Sequence, residues 1–136
     1  MAYFLAKTEA SVYSISDLQK DQHTTWDGVR NAQALGAIRA MRPEDRVFLY
    51  HSTGESSVVG LAKVASQPRP DPSDPKLTVI DLAFLAKLDP PTTLAEVKTS
   101  GLFADFALVR QSRLSTMAVP EAFVQWLRLR YPKAKI

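Results

Sequence analysis

The sequence predicts one mixed α+β domain, a small β-barrel flanked by short helices. Its 136 residues suffice for one domain with its own core. The hydrophobic fraction of 46% and the charged fraction of 23% are typical of a globular protein. Strand-like segments lie at both ends of a middle region with helical patterns, and the connections between them are short. We treat residues 1–136 as a single domain, because no linker or internal repeat divides them.

Strands are predicted where β-branched and aromatic residues cluster between turn residues. The first lies within residues 1–7, and the others are expected at 45–51, 58–64 and 77–85. Residues 68–75 contain four prolines, which cannot donate ladder hydrogen bonds. We therefore expect a loop there, joining two strands.

Three helices are predicted around these strands, each after a residue suited to a helix N-terminus. They are a helix at 15–20 after Ser14, one at 32–41 after Asn31, and a last helix opened by Pro120. In the last helix, Phe123, Leu127 and Tyr131 form the expected inward stripe.

The composition excludes several classes of function. The absence of cysteine excludes disulfides, thiolate catalysis and a zinc ribbon. With two histidines in the chain, we do not expect a multi-histidine metal site. No apolar run approaches the roughly 20 residues that span a bilayer. We expect a soluble, cytoplasmic monomer without cofactor or metal, or a nuclear protein if the source is eukaryotic.

The positive charge is concentrated near the C-terminus. The net charge is +3, yet residues 107–136 contain six basic residues and one acidic residue. Such a surface suits phosphate binding. A solvated helix face with a basic tail explains the same pattern, so charge alone leaves both interpretations open.

Four polar segments are not explained by turns or caps. They are residues 7–9, 26–31, 50–52 and 108–115. The likeness to a known family rests on Trp-Asp-Gly-Val-Arg-Asn at 26–31, Phe-Leu-Tyr-His-Ser at 48–52 and Leu-Val-Arg-Gln-Ser-Arg-Leu-Ser at 108–115. Together these segments resemble the EVE domain family, in the same order and over nearly the whole chain.

The resemblance implies a PUA-like fold, related to the YTH and ASCH domains, and a pocket for a flipped-out, modified base of DNA or RNA. Trp26 would then be the stacking wall. The other base contacts would come from Lys7, Ser14, Asn31, His51, Ser52, Leu114 and Ser115. Structural roles compete at several of these positions: a core tryptophan, an N-cap for Asn31, a core-facing His51 and a plain surface lysine.

Three arginines are expected to brace the pocket or to bind phosphate: Arg30, Arg110 and Arg113. We expect Asp27 and Glu9 as their acidic partners. In this interpretation the protein is a non-catalytic nucleic-acid-binding module.

Two other functions remain open at the sequence level. An ASCH-like hydrolase of a modified nucleoside would use Lys7, Thr8 and Glu9. Adjacent residues of a strand point to opposite faces, however, so Thr8 would point away from the side that Lys7 and Glu9 share. The second alternative is a protein-interaction module that docks through its basic end.

Overall fold

The computed structural model describes residues 1–136 and contains seven strands and five helices. The strands are β1 (Tyr3–Thr8), β2 (His23–Trp26), β3 (Arg46–His51), β4 (Ser57–Val64), β5 (Arg69–Asp71), β6 (Asp74–Thr93) and β7 (Thr116–Ala118). The helices are α1 (Ile15–Asp21), α2 (Ala32–Ala40), α3 (Leu94–Thr99), α4 (Ala107–Arg110) and α5 (Glu121–Arg130). The mixed α+β class with short helices is confirmed.

All seven strands belong to one sheet, which is not closed into a barrel. The strand order is β2-β6-β4-β3-β1-β7, with β5 paired to β6. Only β1 and β3 run parallel, and the other pairs are antiparallel. The short strands β2, β5 and β7 each have one partner, so the sheet has free edges. The prediction of a small barrel is corrected to an open sheet of the same class.

The predicted helix starts are accurate because their signals are local. The hydroxyl of Ser14 accepts from the amide of Asp17 at 3.1 Å, and the Asp17 carboxylate accepts from the Ser14 amide at 2.9 Å. This is a complete capping box. The side chain of Asn31 accepts from the amide of Ala34 at 3.0 Å. Pro120 is the N-cap of α5, one residue outside the helix in which it was expected.

The proline-rich segment forms a β-hairpin, so the prediction of a loop is wrong. In β5 and β6, Arg69 pairs with Val79 and Pro70 pairs with Thr78, with a register shift after Pro70. Proline is tolerated in a short edge strand of this kind, where its missing N–H need not complete a ladder. β6 also extends far beyond the predicted 77–85, because β4 pairs with it as far as Thr93 and β5 pairs with its start at Asp74.

The core lies between the sheet and its helices, and α1, α2 and α5 all contribute buried side chains to it. The predicted inward stripe of α5 is confirmed, since Phe123, Leu127 and Tyr131 are buried. The ring of Phe123 packs edge-on against Phe48, with centroids 6.4 Å apart, and against Phe103 at 5.1 Å. The aromatic cluster anchors α5 on β3.

None of the helices combines the length and the apolar character needed to cross a membrane.

Candidate functional site

A cleft of about 460 Å³ opens where β1 and β2 end and the β2–α2 loop begins. Its volume falls in the range of small-ligand sites in proteins. Aromatic, hydroxyl and charged side chains line it together: Lys7, Thr8, Val12, Tyr13, Thr24, Thr25, Trp26, Asp27, Gly28, Val29, Arg30 and Ser115. Such a lining suits a flat ligand with a polar edge better than a purely apolar one.

Two aromatic rings form a corner in this cleft. Trp26 and Tyr13 meet at an interplanar angle of 79°, with ring centroids 6.4 Å apart. Trp26 is half-buried and also packs against the hydrophobic core, so its structural role and its place in the cleft coexist. The hydroxyl of Tyr13 donates to Asp21 at 3.0 Å, and the hydroxyl of Thr8 donates to the Tyr13 carbonyl at 2.9 Å. These bonds fix the position of Tyr13.

Lys7 is half-buried and connects the cleft to the segment that precedes β7. Its ammonium donates to the carbonyl of Ser112 at 3.1 Å and lies 5.5 Å from the ring centre of Tyr50. Its backbone amide donates to the carbonyl of Ser115 at 2.8 Å. Burial lowers the pKa of Lys7 from its ordinary value. Lys7 therefore places a partly desolvated positive charge on the cleft wall.

The β2–α2 loop supplies the opposite wall. Gly28 has a φ of 75°, in the left-handed region that favours glycine, and the turn carries Asp27 and Arg30 into the lining. Arg30 is exposed and forms no ion pair within 4.0 Å. Hydrogen bonds from Ser73 hold the pKa of Asp71 below its usual range, and the charge of Arg30 adds to this shift. The tip of the β5–β6 hairpin thus lies within electrostatic reach of Arg30.

Several predicted base contacts are placed elsewhere. Ser14 and Asn31 cap α1 and α2. Leu114 is buried in the core. Ser52 is outside the lining, and its amide and hydroxyl both donate to the carbonyl of Thr8, at 2.9 and 3.3 Å. Of the predicted base contacts, Lys7, Trp26 and Ser115 line the cleft.

His51 has a structural contact that the sequence left open as an alternative. Its Nε2 accepts a hydrogen bond from the amide of Ile15 at 3.1 Å, which joins the end of β3 to the start of α1. Burial lowers the pKa of His51, and the positive charge of Lys87 lowers it further. The neutral imidazole is the form that can accept this bond at Nε2.

The arginines of residues 108–115 do not brace the cleft as expected. Arg110 pairs with Asp105 at 3.2 Å, on the exposed surface, rather than with Asp27 or Glu9. Its short helix α4 begins beside Asp105, and this local pairing is within reach of the side chain. Arg113 is exposed and lies outside the lining. Arg30 alone of the three predicted arginines reaches the cleft.

Sequence reasoning missed most of the cleft wall formed by residues 12, 13, 24, 25 and 29. Tyr13 directly precedes the N-cap Ser14, and no sequence pattern assigns it to the pocket. Its aromatic partner is 13 positions away, and the pairing of Trp26 with Ile80 in β6 fixes where that partner lies. Only the fold brings these two rings together.

Of the three residues of the hydrolase alternative, Lys7 and Thr8 both line the cleft, so the expectation that Thr8 points away from the side of Lys7 is wrong. The Thr8 hydroxyl donates to the Tyr13 carbonyl, Lys7 bonds to Ser112, and Glu9 is exposed outside the lining. The Thr8 hydroxyl and the Lys7 ammonium thus donate to backbone carbonyls. No group of three or more His, Cys, Asp or Glu side chains comes together as a metal site.

The chain is a small α+β domain with an open sheet, short helices and an aromatic, partly cationic cleft at the strand ends. The chain belongs to the EVE domain family, whose model matches residues 2–129. Thymocyte nuclear protein 1 of Rattus norvegicus is 38% identical over 106 residues, covering 64% of this chain and 47% of the relative. The human protein of that name is 34% identical over 130 residues, covering 76% of this chain and 58% of the human protein. The chain spans about half the length of these relatives.

Solved structures share this fold over nearly their full length. The NMR structure of Rpa0253 from Rhodopseudomonas palustris has a TM-score of 0.90 at 36% identity, covering 96% of this chain and 92% of that one. The crystal structure of human THYN1 in complex with 5-methylcytosine containing DNA has a TM-score of 0.84 at 28% identity. It covers 96% of this chain and 98% of the human one. The resemblance to the EVE family is thereby confirmed.

Proposed function

We propose that this chain binds DNA and that its cleft receives a flipped-out modified cytosine. The observation that carries the proposal is the corner formed by Trp26 and Tyr13, beside the ammonium of Lys7, in a cleft of about 460 Å³. The human relative in complex with 5-methylcytosine containing DNA has the same fold, which supports this choice of ligand.

The energetics of base flipping agree with the aromatic corner. Extruding a base from the duplex costs a few kcal/mol, and the pocket must return that energy through stacking and edge contacts. Stacking on one aromatic ring contributes roughly 1–3 kcal/mol. Because the rings of Trp26 and Tyr13 are nearly perpendicular, one can stack on a base while the other meets its edge.

The polar groups of the lining match the edge of cytosine. The exocyclic amine of cytosine donates hydrogen bonds, and the carboxylate of Asp27 in the cleft can accept one. Lys7 and Arg30 can donate to the ring acceptors or to a flanking phosphate. Val12 and Val29 also line the cleft and offer apolar contacts for a 5-methyl group. The recognition we propose therefore combines stacking, hydrogen bonds and one methyl contact.

We propose further that the domain acts as a cytoplasmic monomer, without catalysis, cofactor or metal. The position of Glu9 outside the lining, and the bonds of Thr8 and Lys7 to backbone carbonyls, support a binding function over hydrolysis. RNA carrying the same modified base is the competing ligand, and it is included in the test.

Fluorescence of single-tryptophan variants tests the proposal. Trp126 lies outside the cleft and packs on Phe103 with centroids 5.3 Å apart, so Trp126→Phe leaves Trp26 as the only reporter. The matched variant Trp26→Phe leaves only Trp126. We expect 5-methylcytosine DNA to quench the fluorescence of Trp126→Phe strongly and that of Trp26→Phe weakly. Unmodified DNA should quench the fluorescence of Trp126→Phe less. Equal quenching of both variants, or a stronger response to modified RNA, would contradict the proposal.

A further inference from the structure

A second concave surface lies at the other end of α2. This basic groove, of about 420 Å³, is lined by Arg39, Arg42 and Arg69 together with three prolines. Its lining contains no hydrophobic side chain and no carboxylate. Neither the EVE family match nor the cleft accounts for three arginines gathered around one groove.

Two of these arginines are held in place without an acidic partner. The Nε of Arg39 donates to the Thr78 hydroxyl at 2.9 Å, and its Nη2 donates to the Lys76 carbonyl at 3.2 Å. Arg42 donates through Nη1 to the carbonyls of Arg39 and Met41 at 2.7 and 2.6 Å. These acceptors are neutral, so no carboxylate compensates either guanidinium group, and both retain free N–H donors.

The third arginine is compensated. Arg69 pairs with Asp81 at 2.8 Å, and this pairing raises the pKa of Arg69 and lowers that of Asp81. The groove therefore presents two uncompensated positive charges. Prolines at 68, 70 and 75 stiffen its wall and offer no N–H donors of their own. A polar, cationic, rigid groove suits an anion with several oxygens, and guanidinium groups bind phosphate in this way.

The position of the groove relates it to the cleft. The loop before α2 lines the cleft, whereas Arg39 in its last turn lines the groove. The nine residues of α2 span about 13 Å at 1.5 Å per residue. Successive phosphates of one DNA strand rise about 3.4 Å along the helix axis, so this distance corresponds to roughly four nucleotides.

We propose that the basic groove binds backbone phosphates of the DNA that flanks the base in the cleft. This inference rests on the proposed function, and it assigns Arg39 and Arg42 a role in affinity but none in recognition of the modification. Phosphate contacts position a protein on DNA and carry no information about the base. Their signature is the dependence of affinity on salt concentration.

The test compares two double variants that remove equal charge. Arg39→Gln with Arg42→Gln changes the groove, while Lys133→Gln with Lys135→Gln removes two charges outside both the groove and the cleft. Affinity is measured by fluorescence anisotropy between 50 and 200 mM salt, for one duplex with and without 5-methylcytosine. We expect the groove variant to bind both duplexes roughly tenfold more weakly than the lysine variant at low salt.

The slope of log affinity against log salt is negative, and it should become less negative by about 2 in the groove variant. The ratio of the two affinities should stay at the parent value. Equal slopes in the two double variants, or a changed ratio in the groove variant, would overturn the inference. Arg39→Lys with Arg42→Lys should restore the slope, because the charge is retained.

Two further measurements allow the groove and the cleft to be tested separately. If the double glutamine variant does not fold, Arg42→Gln alone is measured, with an expected slope reduction of about 1. If the parent protein binds both duplexes equally, the proposed function of the cleft fails. The salt slope on unmodified DNA still decides whether the groove binds phosphate.

Discussion

Trp26 contacts the hydrophobic core on one side and lines the cleft on the other, where it meets Tyr13. A large aromatic side chain can fill both roles because only part of its surface is needed for packing. His51 shows the opposite outcome, since its Nε2 is used by the amide of Ile15. Residue type alone cannot distinguish these outcomes, which depend on the partner that the fold supplies.

The contact of His51 predicts a pH effect on stability. Because burial and Lys87 lower its pKa in the folded state, the unfolded chain binds the proton more readily below about pH 6.5. The stabilising contact is therefore present above that pH and is lost as the pH falls through the lowered pKa.

We expect His51→Gln to lose less stability than the parent between pH 7.5 and pH 5, because its amide oxygen can accept the Ile15 bond without titrating. Urea unfolding at both pH values measures the difference. An identical pH dependence in parent and variant would show that the imidazole does not titrate in this contact.

At the scale of elements, local signals were sufficient for helix starts but not for strand pairing. Ser14 and Asn31 were predicted as caps from the few residues that follow them, and both cap their helices. The sequence predicts a loop where the β5–β6 hairpin lies, because prolines are typical of loops. The short edge strand β5 forms only because β6 follows it after a turn. The helices α3 and α4 also went unpredicted. Their short lengths of six and four residues give little periodicity to detect.

The packing of α1 against β4 depends on one glycine. A Cβ added at Gly60 would lie 2.1 Å from Cδ1 of Ile15 and 3.3 Å from the Ala86 carbonyl oxygen, so the buried Ile15 side chain or α1 itself must shift. We expect Gly60→Ala to destabilise the fold by roughly 1–3 kcal/mol through overpacking.

The same substitution in α2 provides the matched control. A Cβ at Gly36 meets nothing within 4 Å, and Gly36→Ala should stabilise the fold by about 0.5–1 kcal/mol. Thermal and urea unfolding of both variants measure the two effects. A Gly60→Ala protein as stable as the parent would contradict the close packing of α1.

At the scale of the whole molecule, the distribution of charge along the chain differs from its distribution in space. The basic C-terminal quarter suggested a phosphate surface, yet Arg110, Arg128 and Arg130 each pair with a carboxylate. The uncompensated arginines of the basic groove come instead from the end of α2. Net charge per segment could not reveal this arrangement, because it depends on which acidic residues the fold places nearby.

The family and the α+β class were accessible from the sequence, since the matching segments extend over nearly the whole chain. The residues of the site could be predicted from the sequence only in part. Lys7, Trp26, Arg30 and Ser115 were predicted and line the cleft, whereas its tyrosine wall and the basic groove required the sheet order.

The most direct measurement is the affinity of the protein for two duplexes that differ by one methyl group. Fluorescence anisotropy at fixed salt gives the ratio of affinities for 5-methylcytosine and cytosine in the parent and in Trp26→Ala. We expect a clear preference for the modified duplex in the parent. In the variant, the affinity for the modified duplex should fall by roughly 1–3 kcal/mol and the preference should disappear. A folded Trp26→Ala protein with the affinity and preference of the parent would contradict a base-binding cleft at Trp26.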